Sequence, residues 1–146
     1  MKFRAARLED LEAVVDLGLY LWPRDRKEQV TADMRTSLGS PDHAVYVCQD
    51  DDGTYAGFAG FSLRREYVPG VNSNPVGYVE GIYVRPAFRR RGIATKLIGL
   101  GEAWAVKKGC AQMASDTWLW NTVSQEFHTR TGFSETERVV FYVKRL

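Results

Sequence analysis

A chain of 146 residues with 45% hydrophobic and 26% charged side chains has the length of one compact domain and the composition of a protein with a buried core. Twenty Lys and Arg against eighteen Asp and Glu leave a net charge of +2, too balanced for a dedicated nucleic-acid binder. There is no apolar signal region and no run of about eighteen apolar residues, and Cys48 and Cys110 match no metal-ligand spacing. The expectation is a cytoplasmic protein with no membrane segment and no metal, its two thiols packed in a reducing compartment.

Phe3–Ala6 reads as a strand. Leu8, Leu11, Val14, Val15 and Leu21 then recur at steps near three and four, the spacing of one buried helix face, with Glu9 and Asp10 suiting the dipole of its first turn and Pro23 ending it. A more polar helix is predicted from Lys27 to Leu38, stopped by Gly39-Ser40-Pro41. The period then changes to two. Ala44–Cys48 and Tyr55–Leu63 read as strands joined by a hairpin at Asp51-Asp52-Gly53, Tyr67–Pro75 as a loop, and Val76–Val84 as the next strand, closed by Pro86. From Ile93 the apolar positions return to helical spacing, up to Lys107-Lys108-Gly109, a cationic last turn with a glycine cap. Ala111–Ser115 is a short buried strand, Thr122–Arg130 a helix ended by Gly132, and Val139–Val143 a closing strand. This order describes a mixed α/β fold, one sheet flanked by helices.

The most informative stretch is Tyr83-Val84-Arg85-Pro86-Ala87-Phe88-Arg89-Arg90-Arg91-Gly92-Ile93-Ala94, an apolar strand that passes through a basic turn straight into a helix. A helix start of this kind exposes unpaired N–H groups and favours an anion such as a pyrophosphate. Gly92 lets the backbone approach it, Ala94 keeps the first turn slim, and Arg89, Arg90 and Arg91 add charge. A solvated basic patch facing RNA is the alternative. Neither Gly-x-Gly-x-x-Gly nor Gly-x-x-x-x-Gly-Lys-[Ser/Thr] is present, so dinucleotide and nucleoside-triphosphate folds lose their usual support.

Arg-x-x-Gly-x-Ala between an apolar strand and a long amphipathic helix resembles the acyl-CoA pyrophosphate loop of the GCN5-related N-acetyltransferase (GNAT) superfamily. Asn121, Ser124, His128 and Gly132-Phe133 are similar to its next helix and following turn. Gly77–Val84, Gly101-Glu102-Ala103-Trp104, Met113–Asp116 and Gly132–Val140 further resemble the aminoglycoside 6'-N-acetyltransferases. The resemblance implies a GNAT fold, whose mostly antiparallel central sheet splays apart at the acetyl-CoA site. Ile82, Tyr83 and Val84 would line the pantetheine arm. Arg89, Arg90, Arg91, Gly92, Ile93, Ala94 and Thr95 would hold the pyrophosphate, and Asn121, Ser124 and His128 would complete the cofactor site.

It also implies a chemistry. Gly81 is the expected bulge, since a glycine inside a strand often marks such a distortion, and the N–H near Ile82 would then face the thioester oxygen, a contact commonly worth roughly 3 kcal/mol to the transition state. An alkyl amine with a pKa of about 10 reaches the site protonated, and Glu80 is the candidate that takes its proton, directly or through water. Asp116 is a second acid for a polycationic sugar, or else an N-cap, and Trp22, Tyr67, Trp118 and Trp120 offer flat walls for sugar rings, or core packing. His128 stands where many superfamily members carry a Tyr that protonates the departing thiolate, with Tyr142 a weaker substitute. Trp120 departs from the acid that similar enzymes tend to carry there, a change that bears on the choice of antibiotic and not on the acetyl transfer. The function implied is acetyl-CoA-dependent acetylation of an aminoglycoside at its 6'-amine, giving resistance, by a homodimer that uses no metal, nucleic acid or membrane. A polyamine, a small metabolite amine or a protein N-terminus is the rival acceptor, and a non-catalytic acyl-CoA sensor the rival class. The C-terminal apolar run serves either a subunit interface or a plain core strand.

Overall fold

A computed structural model describes all 146 residues. Period-two alternation gives strands β1 (Lys2–Ala5), β2 (His43–Gln49), β3 (Tyr55–Arg64) and β4 (Val76–Val84), and a two-residue strand β5 (Met113–Ala114) completes the sheet. The helices are α1 (Leu11–Leu21), α2 (Lys27–Gly39), α3 (Ile93–Lys107) and α4 (Thr122–Arg130). The strands lie in the order β1-β2-β3-β4-β5, each antiparallel to the last except β5, which runs parallel to β4. A parallel neighbour requires a crossover, and α3 is that crossover.

Alternate side chains of β2 and β3 go to opposite faces. Val45, Val47 and Phe58 pack with Val14, Leu17, Val30 and Met34 of α1 and α2. Cys48, Ala59 and Phe61, with Val79 of β4, pack with Ile93, Leu97 and Ile98 of α3. Phe58 and Phe61 are fully buried, each worth roughly 1.5–3 kcal/mol by removal from water. The helix ends follow local chemistry: Gly109 and Gly132 take positive φ of 88° and 97° just past α3 and α4, as glycine caps do. No helix is long and apolar enough to cross a membrane.

Three expectations change. The first helix begins later, because Leu8–Asp10 forms a 3-10 turn; Leu8 is exposed rather than on the buried face. Asp10 stands in the first turn and does more than suit its dipole. It is 1% exposed and accepts both Arg4 Nη groups at 2.7 and 2.8 Å, the Arg7 amide at 2.7 Å and the Tyr55 hydroxyl. Second, the strand expected over Ala111–Ser115 shrinks to Met113–Ala114, since only Gly77 and Tyr78 of β4 remain close enough to pair with it. Third, Val139–Val143 forms no strand and joins no core, with exposures from 64% to 99%. Its unbroken apolar run would need cover on both faces, which this chain's own layers do not offer.

Candidate active site

Strand β4 carries the central distortion. Gly60 of β3 faces Gly81, while the next residue, Phe61, faces Val79, so Glu80 is an extra residue in the ladder. The bulge was expected on Gly81; the extra residue is Glu80 and Gly81 is its companion. Gly81 is needed for another reason: a Cβ there would lie 2.7 Å from both Leu21 and Trp22 of the α1 end.

Beyond Tyr78 and Ala114 the two parallel strands part, and β4 runs on to Val84 with that edge unpaired. The Arg85 amide donates to the Ala56 carbonyl at 2.8 Å, which sets the antiparallel alternation between β3 and β4. By that alternation Tyr83 and Gly81 exchange hydrogen bonds with β3, and the amides of Ile82 and Val84 point to the open edge. This edge is a ready partner for an extended guest with amide groups.

Glu80 lies on the α1–α2 face of the sheet. Its Oε1 accepts the Ser62 hydroxyl, and Arg64 Nη2 stands 3.0 Å from both carboxylate oxygens. The guanidinium also stacks over the Tyr78 ring at 3.4 Å, and the Tyr78 hydroxyl donates to Asp116. Burial, then the neighbouring carboxylate, pushes the Tyr78 phenol well above its ordinary range. Asp116 is thus no N-cap. Asn121 caps α4 instead, its Oδ1 accepting the Ser124 amide at 3.2 Å. Glu80 and Asp116 face the same side, linked through Arg64 and Tyr78.

A cleft of about 420 Å³ opens beside Glu80 between the sheet and the α1–α2 pair, within the size range of small-molecule sites. Trp22, Asp25, Asp33, Ser37 and His43 line it with Glu80, and His43 Nδ1 is buried there without a partner. Trp22 therefore both packs and lines the cleft. Tyr67, Trp118 and Trp120 are 81%, 69% and 75% exposed and do not line it.

At the start of α3, Arg90 and Gly92 take φ of 62° and 74°, and no atom lies within 4 Å of where a Gly92 Cβ would stand. The turn before the helix therefore keeps its amides open in a left-handed concavity suited to phosphate oxygens. Arg90, Arg91 and Thr95 are exposed, Ala94 is half-buried and Ile93 is anchored in the core. Arg89 is partly committed: its Nε donates to the Val84 carbonyl at 2.8 Å and its head lies over Tyr83. An open strand edge leading to an open helix tip fits a pantetheine-linked pyrophosphate such as that of acetyl-CoA.

His128 of α4 sits across the sheet from Glu80. Its Nδ1 lies 2.7 Å from the Ser124 carbonyl and its Nε2 lies 2.7 Å from Ser115 Oγ. No group of three or more His, Cys, Asp or Glu side chains gathers as a metal site. The residues that sequence reasoning missed are Arg64, Ser62, Tyr78, Ser115, Asp25 and Asp33. Ser62 and Arg64 are two apart on β3 and so share a face, but the strand runs one residue past its expected end to include Arg64, and only the pairing with β4 brings both to Glu80.

Residues 8–133 match the acetyltransferase (GNAT) family model. The chain is 49% identical over 146 residues to an aminoglycoside N(6')-acetyltransferase type 1 of Acinetobacter haemolyticus, covering 100% of this chain and 99% of that one. It is 44% identical over 138 residues to the protein of the same name from Serratia marcescens, covering 94% of each. Among solved structures, AAC(6')-Iy in complex with the bisubstrate analogue CoA-S-monomethyl-acetylneamine superposes with a TM-score of 0.93 at 42% identity, over 99% of this chain and 98% of that one. The five-stranded open sheet, the parting of its two parallel strands and these matches together place the chain in the GNAT acetyltransferase family.

Proposed function

We propose that this protein transfers the acetyl group of acetyl-CoA to the 6'-amine of an aminoglycoside, by direct attack while both substrates are bound, and thereby inactivates the drug. One observation carries the reading: Glu80 is the extra residue of a bulge, at the point where the sheet opens and beside a cleft that also holds Asp25 and Asp33. Acetyl-CoA supplies an activated acyl group. The open β4 edge holds its extended arm, and the turn before α3 takes its pyrophosphate through Arg89, Arg90, Arg91, Gly92, Ile93, Ala94 and Thr95. The Ile82 amide, aimed at the open edge, donates to the oxygen on which charge develops. Glu80, held by the Arg64 and Ser62 donors, receives the acceptor's ammonium and takes its proton. Asp116, Asp25 and Asp33 attract the remaining ammonium groups, and Trp22 supplies the flat wall. His128 belongs to the return of a proton to the sulfur. Tyr67, Trp118 and Trp120 meet substrate only at the rim.

The proteins of similar sequence bear the same activity in their names, and one solved relative carries CoA joined to an acetylneamine moiety. Five consecutive exposed apolar residues, Val139–Val143, support a homodimer in which this arm packs on the second subunit. Acetyl-CoA being an intracellular metabolite, the protein acts in the cytoplasm.

The test is direct. Purified protein with acetyl-CoA and kanamycin or tobramycin is expected to release free thiol, and the product's NMR spectrum to place the acetyl group on the 6' nitrogen. Spermidine and a peptide α-amine are expected to show far lower kcat/KM. Absence of thiol release with every aminoglycoside overturns the reading.

A further inference from the structure

We infer that Ser115 is the group that hands the proton to the departing CoA sulfur, acting as a relay from His128. This rests on the acetyl-transfer reading above and assigns a residue to its last step. Three observations converge. His128 has both ring nitrogens engaged: Nδ1 at 2.7 Å from the Ser124 carbonyl, which accepts only, and Nε2 at 2.7 Å from Ser115 Oγ. A nitrogen facing a carbonyl must carry a proton, so in the neutral ring Nε2 is the acceptor and the Ser115 hydroxyl the donor. The ring is held in this orientation between Phe127 and Phe133, with centroids 6.0 and 5.2 Å away and both packed edge-to-face.

Ser115 also occupies the right place. It follows Ala114, the last residue of β5 that pairs with β4, so it stands on the β5 lip of the opening while Glu80 stands on the β4 lip. Side chains alternate along this segment. Asp116 turns to Tyr78 on the Glu80 face, and Ser115 turns to α4 on the other. A thioester lying in the opening would have the carboxylate on one side and the serine on the other, so that the group taking the amine's proton and the group protonating the sulfur stand apart.

The balance closes with solvent water as the carrier of protons. Glu80 takes one proton from the ammonium and passes it to water; the neutral amine nitrogen then bonds to the acetyl carbon, and Glu80 takes the second proton, which the nitrogen loses on becoming an amide. The C–S bond breaks with its electron pair going to sulfur, and the Ser115 hydroxyl proton moves to the sulfur. Ser115 Oγ is refilled from Nε2–H of the imidazolium form, leaving neutral His128 protonated on Nδ1; water then returns a proton to the ring.

The experiment measures single-turnover acetyl transfer by rapid quench, together with acetyl-CoA affinity. Ser115→Ala is expected to slow the chemical step tenfold or more while the acetyl-CoA Kd stays within about twofold, and Ser115→Thr, which keeps the hydroxyl, to restore most of the rate. The double variant Ser115→Ala, His128→Ala is expected to be no slower than His128→Ala alone, because the two act in series. Nitrogen-15 NMR provides a readout that does not depend on turnover. The chain has only two histidines, so a His43→Gln variant assigns the rings, and neutral His128 is expected to carry its proton on Nδ1 in the wild type. Wild-type chemical rates in Ser115→Ala, equal impairment in Ser115→Thr, additive losses in the double variant, or a proton on Nε2 of the neutral ring each overturn the relay while leaving the transferase reading intact. A wild-type protein that acetylates no amine overturns both.

Discussion

The Nη2 group of Arg64 stands 3.0 Å from both oxygens of the Glu80 carboxylate, so the proposed base is aimed before any acceptor arrives. The ion pair is open to solvent on one side, with side-chain exposures of 34% and 37%. An incoming ammonium therefore joins the pair without needing to unpack it. Arg64→Met is expected to lower kcat/KM for the acceptor about tenfold by leaving Glu80 free to turn away. Arg64→Lys recovers little, because a lysine lacks both the Nε contact to Oε1 at 3.2 Å and the planar group that stacks over the Tyr78 ring. Steady-state kinetics with a fixed acetyl-CoA concentration decide the matter, and an unchanged kcat/KM in Arg64→Met would remove Arg64 from the account.

Asp10 governs stability on the acid side. The Arg4 hydrogen bonds, joined by Tyr55 and the Arg7 amide, hold its carboxyl well below the usual carboxylate range. A depressed folded-state value means that the unfolded chain binds the proton first. The stabilisation is therefore full above the unfolded value of about 4 and is lost as pH falls below it towards the folded one. Asp10→Asn is expected to cost about 1–3 kcal/mol near neutrality, because it leaves the half-buried Arg4 guanidinium without its carboxylate, and this difference from the wild type should shrink below about pH 4. Urea denaturation at several pH values measures both. A difference that is constant with pH contradicts the assignment.

Two glycines of α3 should respond oppositely to the same change. A Cβ on Gly101 would meet the Phe61 ring at 2.3 Å, whereas one on Gly99 would meet nothing within 4 Å. Gly99→Ala is expected to stabilise by about 0.5–1 kcal/mol through helix propensity. Gly101→Ala is expected to destabilise by about 1–3 kcal/mol, because Phe61 is fully buried and has no room to retreat. Thermal melts of the two variants should therefore move in opposite directions, and a shared direction would show that the α3–β3 packing is drawn wrongly.

The C-terminal arm leads to an association test. Phe141 and Val140 are 88% and 75% exposed in the single chain. Phe141→Asp is expected to weaken dimerisation at least tenfold by burying a charge at the subunit contact. Sedimentation equilibrium reads the change, and a monomeric wild type at micromolar concentration would contradict the proposed dimer.

What the sequence disclosed follows the range of the interactions. The ends of α3 and α4 were legible because Gly109 and Gly132 act on their own helices. The opening of the sheet was legible through Glu80-Gly81, since a glycine beside an acid inside an apolar strand signals a distortion, although the ladder shifts the extra residue to Glu80. Arg64 was hidden because its link to Glu80 depends on the register of β3 against β4 across the loop of residues 65–75. Asp10 is legible only in part for the same reason: its place in the first turn is local, whereas its pairing with Arg4 of β1 depends on the fold. Ser115 fell between motifs, and only the packing of α4 against the end of β5 brings it to His128. Val139–Val143 has a strand's composition but pairs with no strand of its own subunit.

Glu80→Gln gives the most direct test of the account, because it removes the proposed base and leaves the shape of the bulge nearly unaltered. Calorimetric titration should return an acetyl-CoA Kd within about twofold of the wild type, while kcat/KM for tobramycin falls by roughly 10²–10⁴. Wild-type turnover in this variant, or loss of acetyl-CoA binding together with activity, would contradict the placing of Glu80 as the group that readies the amine.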